Sequence, residues 1–235
     1  MSEHLEIEQK FDVDDGFLRP GGRALEEALR GERGERISAG EPVLHRLSAT
    51  YFDTADGRLM SRKITLRRRT GGTDAGWHLK LPGGGSAGAG GGTADASGGD
   101  GGSGASTRRE VRAPLGTAEG QVPEDLAARV AEVTGGLPLA PVATLDTERT
   151  VVILRGHGGR VVAEIADDVV TAQRLTGPGQ DGGAGAPGRW LRWREIEVEV
   201  PVAAPGLQRA AADLLLAAGA RPAGHGSKLA RVLRG

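Results

Sequence analysis

The chain has 235 residues, of which 38% are hydrophobic and 3% aromatic, and its 30 basic and 31 acidic side chains leave a net charge of −1. That length suits one domain with a core of Val, Leu, Ile and Ala, and the balanced charge argues against a general nucleic-acid surface. The absence of cysteine excludes disulfides and thiolate metal sites and points to the cytosol; no run of 18 apolar residues offers a membrane-spanning helix.

Side chains alternate across a strand, so residues i and i+2 share a face. The first predicted strand, 5–13, sets Glu6, Glu8 and Lys10 against Leu5, Ile7 and Phe11. A helical pattern follows at 22–30, then a strand at 47–53. In the strand 64–70, Thr65, Arg67 and Arg69 oppose Ile64, Leu66 and Arg68. In 76–81, His78 and Lys80 oppose Trp77, Leu79 and Leu81. Residues 83–106 hold 12 glycines in 24 positions, with no apolar side chain larger than alanine. Such a segment buries too little surface to offset its ordering entropy, and it reads as a disordered insertion in a hairpin. The strand 107–113 puts Arg108 on one face with Glu110 and Arg112, and a helical pattern covers 124–133.

Two long strands, 143–155 and 160–175, come next. In the second, Val162, Glu164, Ala166 and Asp168 oppose Val161, Ala163 and Ile165. A shorter glycine-rich tract, 177–188, precedes the strand 190–201, where Glu195, Glu197 and Glu199 oppose Ile196, Val198 and Val200. Helical patterns at 205–218 and 227–233 end the series. Eight strands with mostly short connections predict an α+β domain spanning 1–235: an eight-stranded antiparallel β-barrel with helices packed on its outside.

Each charged face, taken alone, fits a strand half exposed to water. Together they are segregated by sign: some strands present two or three glutamates, others paired arginines or a lysine. Glutamates grouped in this way call for divalent cations, and grouped Arg and Lys call for phosphates. A barrel with its charged faces inward meets both demands. Burying about ten unpaired ions would cost several kcal/mol each, so the lumen must be wet and cross-compensated, or filled by a metal–polyanion complex.

These residues resemble the CYTH superfamily of triphosphate tunnel metalloenzymes. Glu6-Ile7-Glu8-Gln9-Lys10 is similar to its N-terminal ExExK signature. Tyr51-Phe52-Asp53-Thr54 with Leu59, Leu66-Arg67-Arg68-Arg69, Trp77 to Pro82, Glu164 with Asp168, Glu195 to Glu199 and Ser227-Lys228 resemble its later segments, in order. Arg108, Glu110 and Arg149 fall where the family carries further strand charges. Many relatives carry a second, helical CHAD module after this domain.

The resemblance implies hydrolysis of a triphosphate group with Mg²⁺ or Mn²⁺ as cofactor. It implies metal ligands among Glu6, Glu8, Asp168, Glu195 and Glu197. Lys10, Arg67, Arg69, Lys80, Arg108, Arg149 and Lys228 would hold phosphate. Glu6, Glu8, Lys10, Glu164 and Asp168 would serve catalysis, Glu164 and Asp168 by orienting water or holding a second metal. Inorganic triphosphate leads, with thiamine or nucleoside triphosphate as further substrates. A class IV adenylate cyclase and a non-catalytic polyphosphate- or nucleotide-binding module are the alternatives. The expected partner is this small molecule, with no nucleic acid and no membrane, in a cytoplasmic monomer or homodimer.

Other candidates read as structural. The five histidines have no zinc-ligand spacing; His78 is the one expected in the lumen, and His225 a loop residue. Ser227 reads as a helix N-cap. Trp190 and Trp193 read as barrel packing ahead of base stacking.

Overall fold

The computed structural model describes residues 2–30, 36–83, 106–116, 120–175, 188–201 and 205–234, apart from the side chains of residues 4, 6 and 205. The predicted glycine-rich insertion at 83–106 and the tract at 177–188 therefore lie almost wholly outside the described residues.

In chain order the elements are β1 (Ser2–Val13), α1 (Gly22–Ala28), β2 (Ser38–Ala39), β3 (Val43–Asp53), α2 (Arg58–Ser61), β4 (Thr65–Thr70), β5 (Gly76–Pro82), β6 (Ser106–Ala113), α3 (Glu124–Arg129), α4 (Ala131–Thr134), β7 (Ala140–Arg155), β8 (Val161–Arg174), β9 (Trp190–Pro201), α5 (Pro205–Ala217), β10 (Arg221–Pro222) and α6 (Lys228–Arg234). Eight of the strands pair in the cyclic order β1-β6-β5-β4-β3-β7-β8-β9, and β9 pairs back onto β1. Every pairing is antiparallel. The result is a closed eight-stranded barrel, with no edge strand in the ring to satisfy elsewhere. The two-residue strands β2 and β10 add to β7 and β1.

The apolar faces point outward and are covered. Phe11, Ile165, Ile196 and Val198 form one buried cluster with Leu25 of α1 and Leu215 of α5. Phe52, Leu66, Trp77 and Leu79 form another with Leu59 of α2, Leu126 of α3 and Val130. Helix α6 packs differently: its Leu229 and Val232 lie against Tyr51, Leu145, Val170 and Trp193. Those four share strand parity with the charged residues of the lumen, so α6 closes one end of the barrel.

Three expectations need correction. Val162 was placed with Glu164, yet Leu154 pairs with Ala163 and Arg155 with Val161, leaving Val162 as the extra residue of a bulge. The bulge returns it to the outer core beside Ala163. The single helix at 124–133 is two short ones, because buried Val130 leaves helical geometry at φ −114° and ψ 5°. Helix α2 had no periodic signal; Asp53 makes it. The buried Asp53 carboxylate accepts the backbone N–H of Thr54 at 2.7 Å and those of Leu59 at 2.8 Å and Met60 at 3.0 Å, the last two being donors that the first turn of a helix leaves unpaired. Asp53 and Thr54 of the Tyr-Phe-Asp-Thr segment thus build the turn after β3. No helix among the described residues is long and apolar enough to cross a membrane.

A charged tunnel as candidate active site

The barrel encloses a cavity of about 530 Å³. Its acidic wall comes from the register of β1, β9 and β8. Glu8 lies opposite Glu199, and Glu199 opposite Glu164; Lys10 lies opposite Glu197; Asp12 lies opposite Glu195, and Glu195 opposite Asp168. The basic wall comes from Arg67 and Arg69 on β4 and Lys80 on β5, with Arg108 on β6 and Arg149 on β7. Lys228 reaches in from the start of α6, where the Ser227 Oγ accepts the Ala230 N–H at 3.1 Å and caps the helix.

Toward the closed end, Asp168, Glu195 and Glu197 bring one carboxylate oxygen each within 4.8 Å of the others. Lys228 Nζ lies 2.8 Å from Asp168, 2.6 Å from Glu195 and 2.7 Å from Glu197. The Arg149 guanidinium forks onto Asp168 at 2.8 and 2.6 Å and reaches Glu197 at 2.5 Å. Lys10 also pairs with Glu197. Burial raises the Glu195 carboxyl, but Lys228 and the His225 hydrogen bond outweigh it and hold the group down to about 2. Glu197 is held well below the usual carboxylate range against its burial by Lys10, Lys228 and Arg149. The same three carboxylates raise Lys228 well above an ordinary lysine despite its burial. Glu195, Glu197 and Lys228 are therefore ionised at neutral pH.

Nearer the middle, Glu8 receives Lys10 at 2.9 Å and Lys80 at 3.3 Å. Its carboxyl is held down by these lysines against its own burial. Glu110 touches Arg112 at 2.5 Å and His78 Nδ1 at 3.0 Å, while His78 Nε2 lies 2.9 Å from the Asp74 carbonyl oxygen. Burial, with Arg67 and Arg69, pushes His78 down to about 4 against the pull of Glu110. The neutral ring therefore donates to only one of its two acceptors.

The basic wall has open donors. Arg67 gives one N–H to the Tyr51 hydroxyl at 3.2 Å, and Arg69 pairs with Asp74. The Nε atoms of both arginines are buried and donate to nothing. Buried guanidinium donors are normally satisfied, so these two fit an anion in the lumen.

Of the sequence-predicted residues, Glu8, Lys10, Arg67, Arg69, Lys80, Arg108, Arg149, Glu164, Glu197 and Lys228 line the cavity. Asp168 and Glu195 are fully buried just behind it, under Lys228. Glu8, grouped with the metal ligands from sequence, lies between Lys10 and Lys80 and shares Lys10 with Glu197 of the three-carboxylate cluster. Glu6 belongs to β1, and its side chain lies outside the described residues. Arg108, buried, donates to the Gly226 carbonyl at 2.8 Å, while Arg109 is turned outward to Glu3.

The sequence reading missed His45, which lines the cavity, because it began the strand at 47 and the structure begins β3 at Val43. It also took His225 for a plain loop residue; His225 Nε2 lies 3.3 Å from Glu195. Tyr51, Asp74 and Arg155 are further lining residues that it did not place in the lumen. Alternation along β3 would have found Tyr51, whereas Asp74 sits in a turn without period. Trp193 is buried and bonded to Glu195, and Trp190 is exposed.

The donor set suits a hard divalent cation. Asp168, Glu195 and Glu197 offer only oxygen, and Glu195 Oε1 is buried and accepts no hydrogen bond of acceptable angle, although Lys228 stands beside it.

Residues 4–231 match the CYTH domain family. Uncharacterized proteins from two strains of Mycobacterium tuberculosis are each 39% identical to the chain over 234 residues, covering 98% of it. The chain spans 40% of the length of these relatives. A Bacillus halodurans crystal structure, provisionally named an adenylate cyclase, shares the fold with a TM-score of 0.54 at 16% identity, over 98% of both chains. By its sequence and its closed eight-stranded tunnel, the chain belongs to the CYTH family.

Proposed function

We propose that this domain is a metal-dependent triphosphatase of the cytosol, acting on a small-molecule triphosphate, with inorganic triphosphate first. The observation that carries this reading is the pairing of an acidic wall with a basic wall whose Arg67 and Arg69 Nε donors are buried and unused.

Charge counting gives the metal its reason. Nine Lys and Arg line the cavity against seven Asp and Glu. Asp168 and Glu195 lie directly behind, so the described tunnel is close to neutral. A triphosphate brings about four to five negative charges. It needs added positive charge, and Asp168, Glu195 and Glu197 would hold Mg²⁺ or Mn²⁺ to supply it. When bound, that cation neutralises phosphate oxygens and lowers the pKa of a water ligand.

The chain's own residues do the rest. Arg67 and Arg69 fork onto phosphate oxygens, and Lys10, Lys80 and Lys228 act as point charges. Arg108 and Arg149 add further contacts. Glu164, on β8 opposite Glu199 of β9, orients the attacking water. Positioning and charge neutralisation carry most of the rate enhancement in phosphoryl transfer.

Incubating purified protein with inorganic triphosphate, thiamine triphosphate or ATP tests the reading, with Mg²⁺, Mn²⁺ or EDTA in parallel. Phosphate release that stops in EDTA and returns with either metal is expected. Cyclic AMP with pyrophosphate from ATP would assign a cyclase instead. Tight triphosphate binding without turnover would assign a binding module.

A further inference from the structure

The two oxygens of Glu195 have different surroundings. Oε2 accepts the indole N–H of Trp193 at 2.6 Å, and His225 Nε2 lies 3.3 Å from the same oxygen. Oε1 accepts no hydrogen bond of acceptable angle and is ion-paired with Lys228 at 2.6 Å, in the group formed with Asp168 and Glu197. Trp193 is braced in turn. Trp193 packs against Leu229 and Val232 of α6, and the Arg231 guanidinium lies 4.8 Å over its ring. Arg231 is itself paired with Asp12. The His225 side chain is 7% exposed.

Trp193 also shares a strand face with Glu195, two residues away, so the β9 backbone fixes its approach. A carboxylate held on one oxygen by a fixed indole N–H and a buried imidazole loses rotational freedom and presents the other oxygen in one direction. Partners that orient a ligand in this way change metal affinity about 10–100-fold.

We propose that Trp193 and His225 are positioning residues that hold Glu195 Oε2 from behind and so aim Oε1 into the metal-binding group. The inference rests on the metal reading above. It gives Trp193 a task beyond packing and gives His225, which also lies within ligand distance of Asp12 and Glu195, a task as a donor to Glu195.

The test is Mn²⁺ uptake by the intact chain, followed by electron paramagnetic resonance without substrate. Trp193→Phe keeps the ring under Arg231 but removes the N–H, and His225→Leu removes the other donor. Glu195→Gln is the control for the site itself. Each single variant should weaken Mn²⁺ uptake about tenfold, and the double variant more, with melting temperature near that of the parent. The metal concentration for half-maximal turnover should rise in step, while turnover at saturating metal largely recovers. A purely structural role for Trp193 would lower the melting temperature and leave uptake by the folded fraction unchanged. Uptake unchanged in Trp193→Phe and His225→Leu but lost in Glu195→Gln overturns the inference and leaves the metal reading standing. Uptake unchanged in Glu195→Gln overturns both.

Discussion

At the level of single residues, the tunnel separates groups that hold charge from groups that await it. Arg67 belongs to the second kind, since its buried Nε has no acceptor. Arg67→Ala should therefore cost about 2–3 kcal/mol of transition-state binding, read as kcat/KM, with little loss of stability. Glu8 belongs to the first kind. Glu8→Gln leaves Lys10 and Lys80 without their shared carboxylate, so it should alter phosphate binding and turnover with a small change in metal requirement. A metal requirement raised by orders of magnitude would return Glu8 to the ligand set.

Protonation adds a third expectation at this scale. Glu8, Glu110, Glu195 and Glu197 all titrate below their ordinary range in the folded chain, and His78 at about 4. In each case the unfolded chain binds the proton first as pH falls, so folding stability drops with acidity. Loss should begin below about 6.5, where unfolded His78 titrates, and steepen below about 4.5 as the carboxylates join it. Chemical denaturation of the metal-free protein at pH 8, 6, 5, 4 and 3 checks this; a stability that stays flat down to pH 4 contradicts it.

At the level of elements, the strands were legible because period-2 alternation of charge and hydrocarbon is a local signal. Glu195, Glu197 and Glu199 declare their face without knowledge of any partner. Register was not legible, since it depends on which strands meet. Only the pairing of Asp12, Glu195 and Asp168 across β1, β9 and β8 shows why Glu195 and Asp168 group together while Glu8 stands apart. The bulge at Val162 was hidden for the same reason. Helix α6 was read as one more outer helix because its Leu229 and Val232 look alike on either side of a barrel wall. In the structure they plug the lumen against Tyr51, Leu145 and Trp193. Leu229→Ala should cost about 2–5 kcal/mol, and it should also loosen the placement of Lys228, one residue away. The expected pattern is a lower melting temperature together with weaker triphosphate binding. An equal truncation in the outer core, Leu126→Ala, should lower the melting temperature alone.

At the level of the whole molecule, the closed end is already electrically full. Lys228 contacts three carboxylates and Arg149 two of them, so the two cations stand where a divalent ion would draw its ligands. Both are also among the residues proposed to hold phosphate. On the proposed function, a triphosphate arriving in the tunnel would compete for Lys228 and Arg149, and each ammonium or guanidinium it took would uncover carboxylate for metal. Metal and triphosphate should therefore bind with positive coupling, and linkage requires that each tighten the other by the same factor. Calorimetric titration of Mn²⁺ and of a hydrolysis-resistant imido analogue of triphosphate, in both orders, should give an equal gain of about tenfold or more. Lys228→Met keeps the buried stem and removes the charge. It should bind Mn²⁺ more tightly than the parent when no anion is present, because the built-in competitor is gone. It should bind the analogue more weakly, and the coupling factor should shrink toward one. If Lys228→Met takes up Mn²⁺ no better than the parent, or keeps the parent's coupling, Lys228 is a fixed member of the phosphate wall rather than the charge that changes partners when the tunnel fills.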